Sequence, residues 1–424
     1  MAPDTHRAIE TVWRIESAKL IAGLTRMVGD ISHAEDLAQD ALVAALERWP
    51  ATGIPDNPGA WLMATAKHRA IDGFRRNKLL DRKHEELAYD ADAIQRTMPD
   101  YDSALDDDIG DDLLRLVFTA CHPVLATDAR VALTLRLLGG LTTDEIARAF
   151  LVPVSTMAQR IVRAKRTLAD AKVPYEVPRG EELGPRLSSV LEVIYLIFNE
   201  GYSASAGDDW IRPQLSEEAL RLGRILAGLA PDEPEVHGLM ALMEIQASRF
   251  KARVAADGTP ILLLDQNRAR WDQLLIRRGL TALQRAESLA AEPGPYVLQA
   301  AIAASHARAR NADETDWRAI ASLYGRLARL TGSPVVELNR AVAVGMASGP
   351  EAGLAVTEPL VEERSLKGYH LLPSVRGDLL MKLQRYEEAA AELRRAAELA
   401  GNARDRALLL DRVAACERVT GKIH

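Results

Sequence analysis

The chain has 424 residues, of which 48% are apolar and 5% aromatic, with 53 basic against 60 acidic side chains and a net charge of -7. That length allows two or three domains with full cores, and the dominance of Ala, Leu and Arg favours helices over sheets. Two cysteines, Cys121 and Cys416, exclude a disulfide framework and a four-thiolate zinc site. The acidic balance argues against non-specific nucleic-acid binding by the chain as a whole, but charge acts locally, and bases gather at 67–83 and 160–172. No apolar run approaches membrane-spanning length and no secretory h-region stands at the N-terminus, so a reducing, cytoplasmic setting is expected.

In chain order, residues 7–49 carry helical periodicity, and PDNPG at 55–59 breaks them from a second amphipathic segment running from Ala60 to about Lys83. Residues 86–112 hold Asp90, Asp92, Asp100, Asp102, Asp106, Asp107 and Asp108 with few bases, and are expected to be an extended, poorly ordered linker. Helical pattern resumes near Leu113 and continues to about Ala171. The stretch VPYEVPRGEELGP then separates everything before it from a long helical C-terminal half.

Residues 142–168 read as a helix, a proline turn and a second helix that ends in a basic run, the pattern of a helix-turn-helix. Thr142 and Glu145 form a capping box, with Ile146, Ala147 and Phe150 on one face of the first helix. Pro153 stops that helix, because it has no amide hydrogen and disfavours helical geometry in the residue before it. Ser155 or Thr156 is expected to cap the second helix, whose buried stripe is Met157, Ile161, Ala164 and Leu168. The opposite face carries Thr156, Gln159, Arg160 and Arg163, followed by Lys165 and Arg166. Residues near the start of such a helix reach base edges and long basic side chains further on meet phosphates, so Thr156, Gln159 and Arg160 are the base-reading candidates. A helical hairpin with a solvated basic face is the alternative.

In the C-terminal half, RGDLLMKLQRYEEAAAELRRAAELA from Arg376 reads as helix, short turn and helix, with Tyr386 opening the second and small residues Ala389, Ala390, Ala396 and Ala397 at the close-packing positions. It resembles a tetratricopeptide repeat. RAVAVGMASGPEAGLAVTEPL from Arg340 aligns with it at an offset of roughly 36 residues. Helices around 216–229, 236–253, 268–291 and 296–310 are expected to complete the stack. Residues 247–272 stand apart, with Arg249, Arg253, Asp257, Asp265, Gln266, Arg268, Arg270 and Asp272 around the apolar run 261–264 and a turn at Asp257 and Gly258. The favoured reading is a buried salt-bridge layer that orients two helices, and the alternative is an Arg and Asp network that docks on another surface.

Catalytic signatures are missing: no Walker loop, dinucleotide fingerprint, GxSxG elbow or HExxH occurs, so neither an enzyme nor a cofactor is expected. His33, Cys121 and His122 have no metal-ligand spacing and are read as structural.

Residues 29–49, GDISHAEDLAQDALVAALERW, and 60–78, AWLMATAKHRAIDGFRRNK, resemble the core of region 2 of a bacterial RNA polymerase sigma factor, and the helix-turn-helix resembles region 4. Their order and spacing are those of the extracytoplasmic-function type, over residues 7–171, and the C-terminal half resembles the tetratricopeptide-like extension of a subgroup. The resemblance implies an all-α chain: region 2 at 1–85, the acidic linker at 86–112, region 4 at 113–173 and a repeat domain at 181–424.

It further implies an alternative sigma factor that binds core RNA polymerase, through the clamp coiled coil and the flap, and promoter DNA. Asp36, Gln39 and Asp40 lie on one helical face, which in the family docks on the clamp coiled coil. Lys67, Arg69, Arg75, Arg76 and Lys78 provide the basic surface that holds the -10 element as single strand, with Trp61, Leu62 and Ile71 spaced for the core. Ser155, Thr156, Gln159, Arg160, Arg163, Lys165 and Arg166 are the candidates for the -35 element. The linker in the family runs through the polymerase cleft, where an anionic peptide could occupy a path built for RNA. Leu151 departs from the pattern, since a small residue is usual at that turn. The C-terminal domain is expected to regulate or support activity, with contact to regions 2 and 4 as one route. A free-standing operator-binding regulator with a ligand- or partner-sensing repeat domain is the other reading.

Overall fold

The computed structural model describes residues 2–84, 105–150, 152–202, 212–255, 261–401 and 403–420. They form two compact units, Met1–Ile194 and Tyr195–His424. Among the described residues the regular secondary structure is helical.

The first unit opens with three helices that pack on one another: α1 (Ala2–Val28), α2 (Ile31–Thr52) and α3 (Pro58–His84). The α1–α2 turn needs a left-handed residue, supplied by Gly29 at φ 73°. Asp30 then caps α2 by accepting from the His33 amide at 2.7 Å. Leu20, Ile21 and Leu24 face Leu37, Ala38, Ala41 and Trp49, all buried, and Leu62 and Ala66 close the core from α3. Trp61 is half-buried and meets Trp49 edge-on at 5.2 Å between ring centres, as a core residue rather than an open platform.

Four further helices follow: α4 (Leu105–Ala120), α5 (Thr127–Leu137), α6 (Thr143–Ala149) and α7 (Val154–Asp170). Helix α4 begins inside the segment expected to be an extended linker, and Asp112 at its end is buried. It pairs with Arg26 at 3.1 Å and with Arg115 at 2.6 Å. The remaining linker residues up to 104, including Asp90, Asp92, Asp100 and Asp102, lie outside the described residues, as does Leu151.

The proline and glycine stretch after α7 is not where the units divide. The division falls within α8 (Leu183–Tyr202), because its first turns bond to α4 and α5. Arg186 donates to Phe118 O at 3.0 Å and Ser189 to Cys121 O at 2.6 Å, while Arg130 donates to Glu192 at 3.0 Å. Tyr175, inside the expected spacer, is also bound in: its hydroxyl sits 3.0 Å from Ala22 O and 2.9 Å from Asp112 O and donates between them.

The second unit is a succession of helices in which α10 packs on both α12 and α13 and those from α12 onward pack on their sequence neighbours: α9 (Pro213–Leu229), α10 (Pro234–Ala247), α11 (Phe250–Arg253), α12 (Gln273–Leu289), α13 (Pro295–Arg308), α14 (Trp317–Thr331), α15 (Pro334–Ser348), α16 (Pro350–Val361), α17 (Leu371–Lys382), α18 (Tyr386–Leu399) and α19 (Ala403–Thr420). Prolines open α9, α10, α13, α15 and α16, where a missing amide costs nothing. As the sequence pattern predicts, Tyr386 opens α18, and Ala389, Ala390, Ala396 and Ala397 are buried against Leu380, Leu409 and Val413.

Small residues let paired helices approach closely. A Cβ placed on Gly353 of α16 would stand 2.8 Å from both Ala341 O and Gly345 Cα of α15. Replacing Gly353 by Val is therefore expected to cost about 1–3 kcal/mol through forced separation of the two backbones. Urea unfolding of the full chain would read this as a lower midpoint, and an unchanged midpoint would show that the crossing tolerates a side chain.

Candidate polymerase and promoter interface

Helix α6 starts as its sequence demands. Thr142 accepts from the Glu145 amide at 3.2 Å while the Glu145 carboxylate accepts from the Thr142 amide at 2.8 Å, the reciprocal capping box. Ile146 and Ala147 are buried, and Phe150 is half-buried. Helix α7 differs from expectation at its start. Its N-cap is Pro153, which has no capping side chain, and Ser155 and Thr156 lie inside the first turn, both exposed. Because φ of Pro153, at -58°, already suits the entry to a helix, the chain turns two to three residues earlier than a hydroxyl cap at Ser155 or Thr156 would have it.

The stripe Met157, Ile161, Ala164 and Leu168 is buried at 1–5% exposure, and this sets which side chains face outward. Ser155, Thr156, Gln159, Arg163 and Arg166 are exposed. Arg160 is half-buried and pairs with Asp128 at 3.5 Å, while Arg166 pairs with Asp170 at 3.5 Å on open surface. Lys165 departs from its expected role. It donates to Glu35 of α2 and its side chain is only 15% exposed, so in this conformation its charge is engaged within the protein.

Glu35 is the residue that sequence reasoning passed over. It is 4% exposed and accepts from Arg136 Nε at 2.6 Å, from Lys165 Nζ and from Gln39 Nε2 at 2.9 Å. Burial by itself would push its carboxyl upward in pKa, but the Lys165 and Arg136 charges and their hydrogen bonds outweigh that and hold it below the ordinary 4.5. A signal existed in the sequence: Glu35 lies between Ala34, Leu37 and Ala38, all buried, and an acid in an apolar stripe needs a partner. A second link between the bundle and the helix-turn-helix, Arg14 of α1 with Glu145 of α6 at 3.1 Å, is more exposed and correspondingly weaker.

On α2, Asp36 and Asp40 are exposed, whereas Gln39 is half-buried through its bond to Glu35. Asp40 pairs with Arg69 of α3 at 3.1 Å, so a residue expected to face polymerase and one expected to face DNA neutralise each other. Lys67 is half-buried on the same helix. Arg75, Arg76 and Lys78 lie further along α3, but their side chains fall outside the described residues. Cys121 is buried, with its Sγ 3.3 Å from Thr134 Oγ1 and its thiol pushed up to about 11, mainly by burial. His122 accepts from the Val124 amide at 3.1 Å, and no group of potential metal ligands occurs among the described residues. No described helix is long and apolar enough to cross a membrane.

Residues 16–79 match sigma-70 region 2, residues 115–168 match sigma-70 region 4, and residues 186–287 match a family of unknown function, DUF6596. An uncharacterized protein of Rhizobium meliloti, R00370, is 43% identical over 403 residues, covering 93% of each chain. A probable ECF RNA polymerase sigma factor of Mycobacterium tuberculosis, SigI, is 29% identical over 175 residues, which span 41% of this chain and 58% of that relative. No solved structure matches. The three-helix bundle and the helix-turn-helix thus correspond to regions 2 and 4 of a sigma-70 factor. The chain belongs to the sigma-70 family and is an alternative sigma factor of the extracytoplasmic-function type, with a helical C-terminal extension.

Replacing Glu35 by Gln leaves Arg136 and Lys165 without their anion and is expected to destabilise the first unit by about 3 kcal/mol, less to the extent that water reaches Lys165. Because the folded carboxyl titrates below its ordinary 4.5, its contribution is complete above that pH and is lost as the pH falls through the lower, folded value. Thermal melts of the wild type and Glu35→Gln should therefore differ most at neutral pH and converge in acid. A difference that persisted unchanged well below pH 4.5 would assign it to packing instead of charge.

Proposed function

We propose that the first unit initiates transcription through three surfaces. Asp36, Gln39 and Asp40 engage the polymerase clamp, and the base-rich face of α3, with Lys67, Arg69, Arg75, Arg76 and Lys78, holds the -10 strand. The outward face of α7 reads the -35 element, with Ser155, Thr156, Gln159 and Arg160 near base edges and Arg163 and Arg166 at phosphates. The observation that carries this reading is the buried Met157, Ile161, Ala164 and Leu168 stripe, which leaves Thr156, Gln159 and Arg163 together on an exposed face. The protein works in the cytoplasm.

The packing of α2 against α5 and α7 corresponds to a closed state. Promoter elements named -10 and -35 are separated by roughly 80 Å of duplex at 3.4 Å per step. Glu35 and Lys165, one from each region, are in direct contact. One protein cannot keep that contact and place both regions on their elements, so the bond to Glu35 breaks and Lys165 becomes available to a phosphate. The C-terminal helices regulate or support this opening, and fusion to the same chain gives them a high effective concentration near the regions they act on.

Run-off transcription with core RNA polymerase, on a template carrying the promoter upstream of the protein's own gene, tests the assignment. Promoter-dependent transcript is expected, with a loss of at least about tenfold when Arg75 and Arg76 become Ala, the scale of two lost phosphate contacts. Transcript at wild-type level from that variant would remove α3 from the -10 role, and affinity for duplex operator without polymerase would favour a free-standing regulator. A stop after Ile194, which keeps the α8 turns that bond to α4 and α5, reads the extension. Gain of transcript marks it as inhibitory and loss as activating, whereas no change would refute both roles.

A further inference from the structure

Helix α14 of the second unit carries a strongly charged surface that none of the three contacts of the first unit uses. Its sequence is WRAIASLYGRLARLT, and Ile320 and Leu327 are buried on one side against Leu298, Ile302 and Ala343. At about 100° per residue the opposite side collects Arg318, Ser322, Gly325, Arg326 and Arg329. All three arginines are exposed. Among the described α-helices, α14 alone holds three bases and no acid.

Arg318, Arg326 and Arg329 form no ion pair and no side-chain hydrogen bond among the described residues. Elsewhere in this unit exposed arginines find acids: Arg285 binds Asp232 at 3.2 Å, Arg385 binds Glu388 at 2.6 Å and Arg394 binds Glu417. Acids near the ends of α14 are engaged otherwise. Asp316 caps the helix by accepting from the Ala319 amide at 2.9 Å, Glu314 accepts from the Asn311 side chain at 2.9 Å, and Glu337 of α15 holds Arg340 at 2.9 Å. Asp313 stands in the loop before the helix, beyond its Arg318 end. No large side chain rises within the stripe: Ser322 is short, and the point where a Cβ would stand on Gly325 is 3.7 Å from Arg329 Nη1.

The layout of this charge selects the partner. Proteins hold one another through buried aromatic or aliphatic anchors at the centre of a contact, and the centre here is Ser322 and Gly325 ringed by cations. From Arg318 to Arg329 the stripe runs roughly 16 Å at about 1.5 Å per residue, as a rigid row of positive groups. A DNA duplex presents anions in the same form, with a phosphate at about every 3.4 Å of each strand. Guanidinium groups and short hydroxyls are the side chains that meet phosphate oxygens.

We propose that the Arg318, Arg326 and Arg329 face of α14 binds the phosphate backbone of duplex DNA without reading its sequence, and so adds a further DNA contact to those of regions 2 and 4. This contact rests on the first unit engaging promoter DNA as proposed above, because three phosphate contacts in a chain of net charge -7 hold little by themselves. Tethering changes that balance, since a unit fused to bound regions meets the duplex at high effective concentration.

The test reconstitutes the full chain with core RNA polymerase and measures affinity for a duplex carrying the promoter upstream of the protein's own gene, over a series of potassium chloride concentrations. Each phosphate contact contributes about 0.9 to the slope of log affinity against log salt. Arg318→Gln, Arg326→Gln and Arg329→Gln together should lower that slope by about 2–3 and erase a hydroxyl-radical footprint outside the -10 and -35 elements. The corresponding triple change to Lys keeps the charge and should keep both. The Gln variant should still co-elute with core polymerase and give transcript, and base changes beneath the footprint should leave wild-type affinity unaltered. An unchanged slope and footprint in the Gln variant would overturn the proposal. So would loss of co-elution, which would assign the face to an acidic surface of polymerase, and so would a footprint that depends on base sequence. Wild-type protein that gives no transcript would count against the sigma reading instead. The same salt titration on the protein alone, with a promoter-free duplex, then decides α14, and equal slopes for wild type and Gln variant overturn it. If the triple variant does not fold, Arg326→Gln alone should lower the slope by about one, and an unchanged slope overturns the contact.

Discussion

A single buried carboxylate holds the first unit in its observed arrangement. Glu35 of α2 binds Arg136 of α5 and Lys165 of α7, so the region 2 bundle grips the second helix of the helix-turn-helix. The energetics of such a group are asymmetric. Desolvation of an acid is expensive, and two cations repay it only while both are present, so the contact acts as a latch that is worth much when complete and is costly when half made. The more exposed pair Arg14 with Glu145 joins a different two helices, α1 and α6, without carrying comparable weight. Tyr175 adds a further tie by placing one hydroxyl between carbonyls of α1 and α4.

The latch also reorganises how charge is distributed over the recognition surface. Lys165 is occupied by Glu35, Arg160 by Asp128 and Arg69 by Asp40, while Thr156, Gln159 and Arg163 remain open. Chain segments expected to meet DNA therefore spend part of their positive charge inside the protein. In a molecule with net charge -7, that internal neutralisation limits attraction to nucleic acid in general and leaves the specific readers exposed.

Local features were legible from the sequence and long-range ones were not. The capping box at Thr142 and Glu145 and the Met157, Ile161, Ala164 and Leu168 stripe depend on neighbours three or four residues away, which periodicity reports directly. The start of α18 at Tyr386 was equally readable, whereas α17 begins at Leu371, ahead of the Arg376 at which the repeat pattern opens. Ser155 and Thr156 misled because a hydroxyl near a helix start looks like a cap, although Pro153 had already set the geometry. Glu35 needed partners more than a hundred residues away, and the bonds of Arg186 and Ser189 to α4 could not be inferred from a stretch whose prolines and glycines look like a spacer. Arg268 shows the converse limit: acids abundant in the nearby sequence suggested a salt-bridge layer, yet its hydrogen bonds go to His306 O, Ala309 O and Thr315 Oγ1.

The bond between Lys165 and Glu35 gives the protein its own counterion. On bare DNA-binding surfaces the anions displaced by a phosphate are dissolved salt, and affinity falls with ionic strength in proportion to the number released. In the proposed opening, the anion that Lys165 gives up for a phosphate is covalently part of the same chain and returns when the DNA leaves. Salt then acts on both sides of the exchange, since it screens the internal pair as well as the phosphate contact. The contribution of Lys165 to the slope of affinity against salt should consequently be smaller than that of Arg163, which surrenders no internal partner.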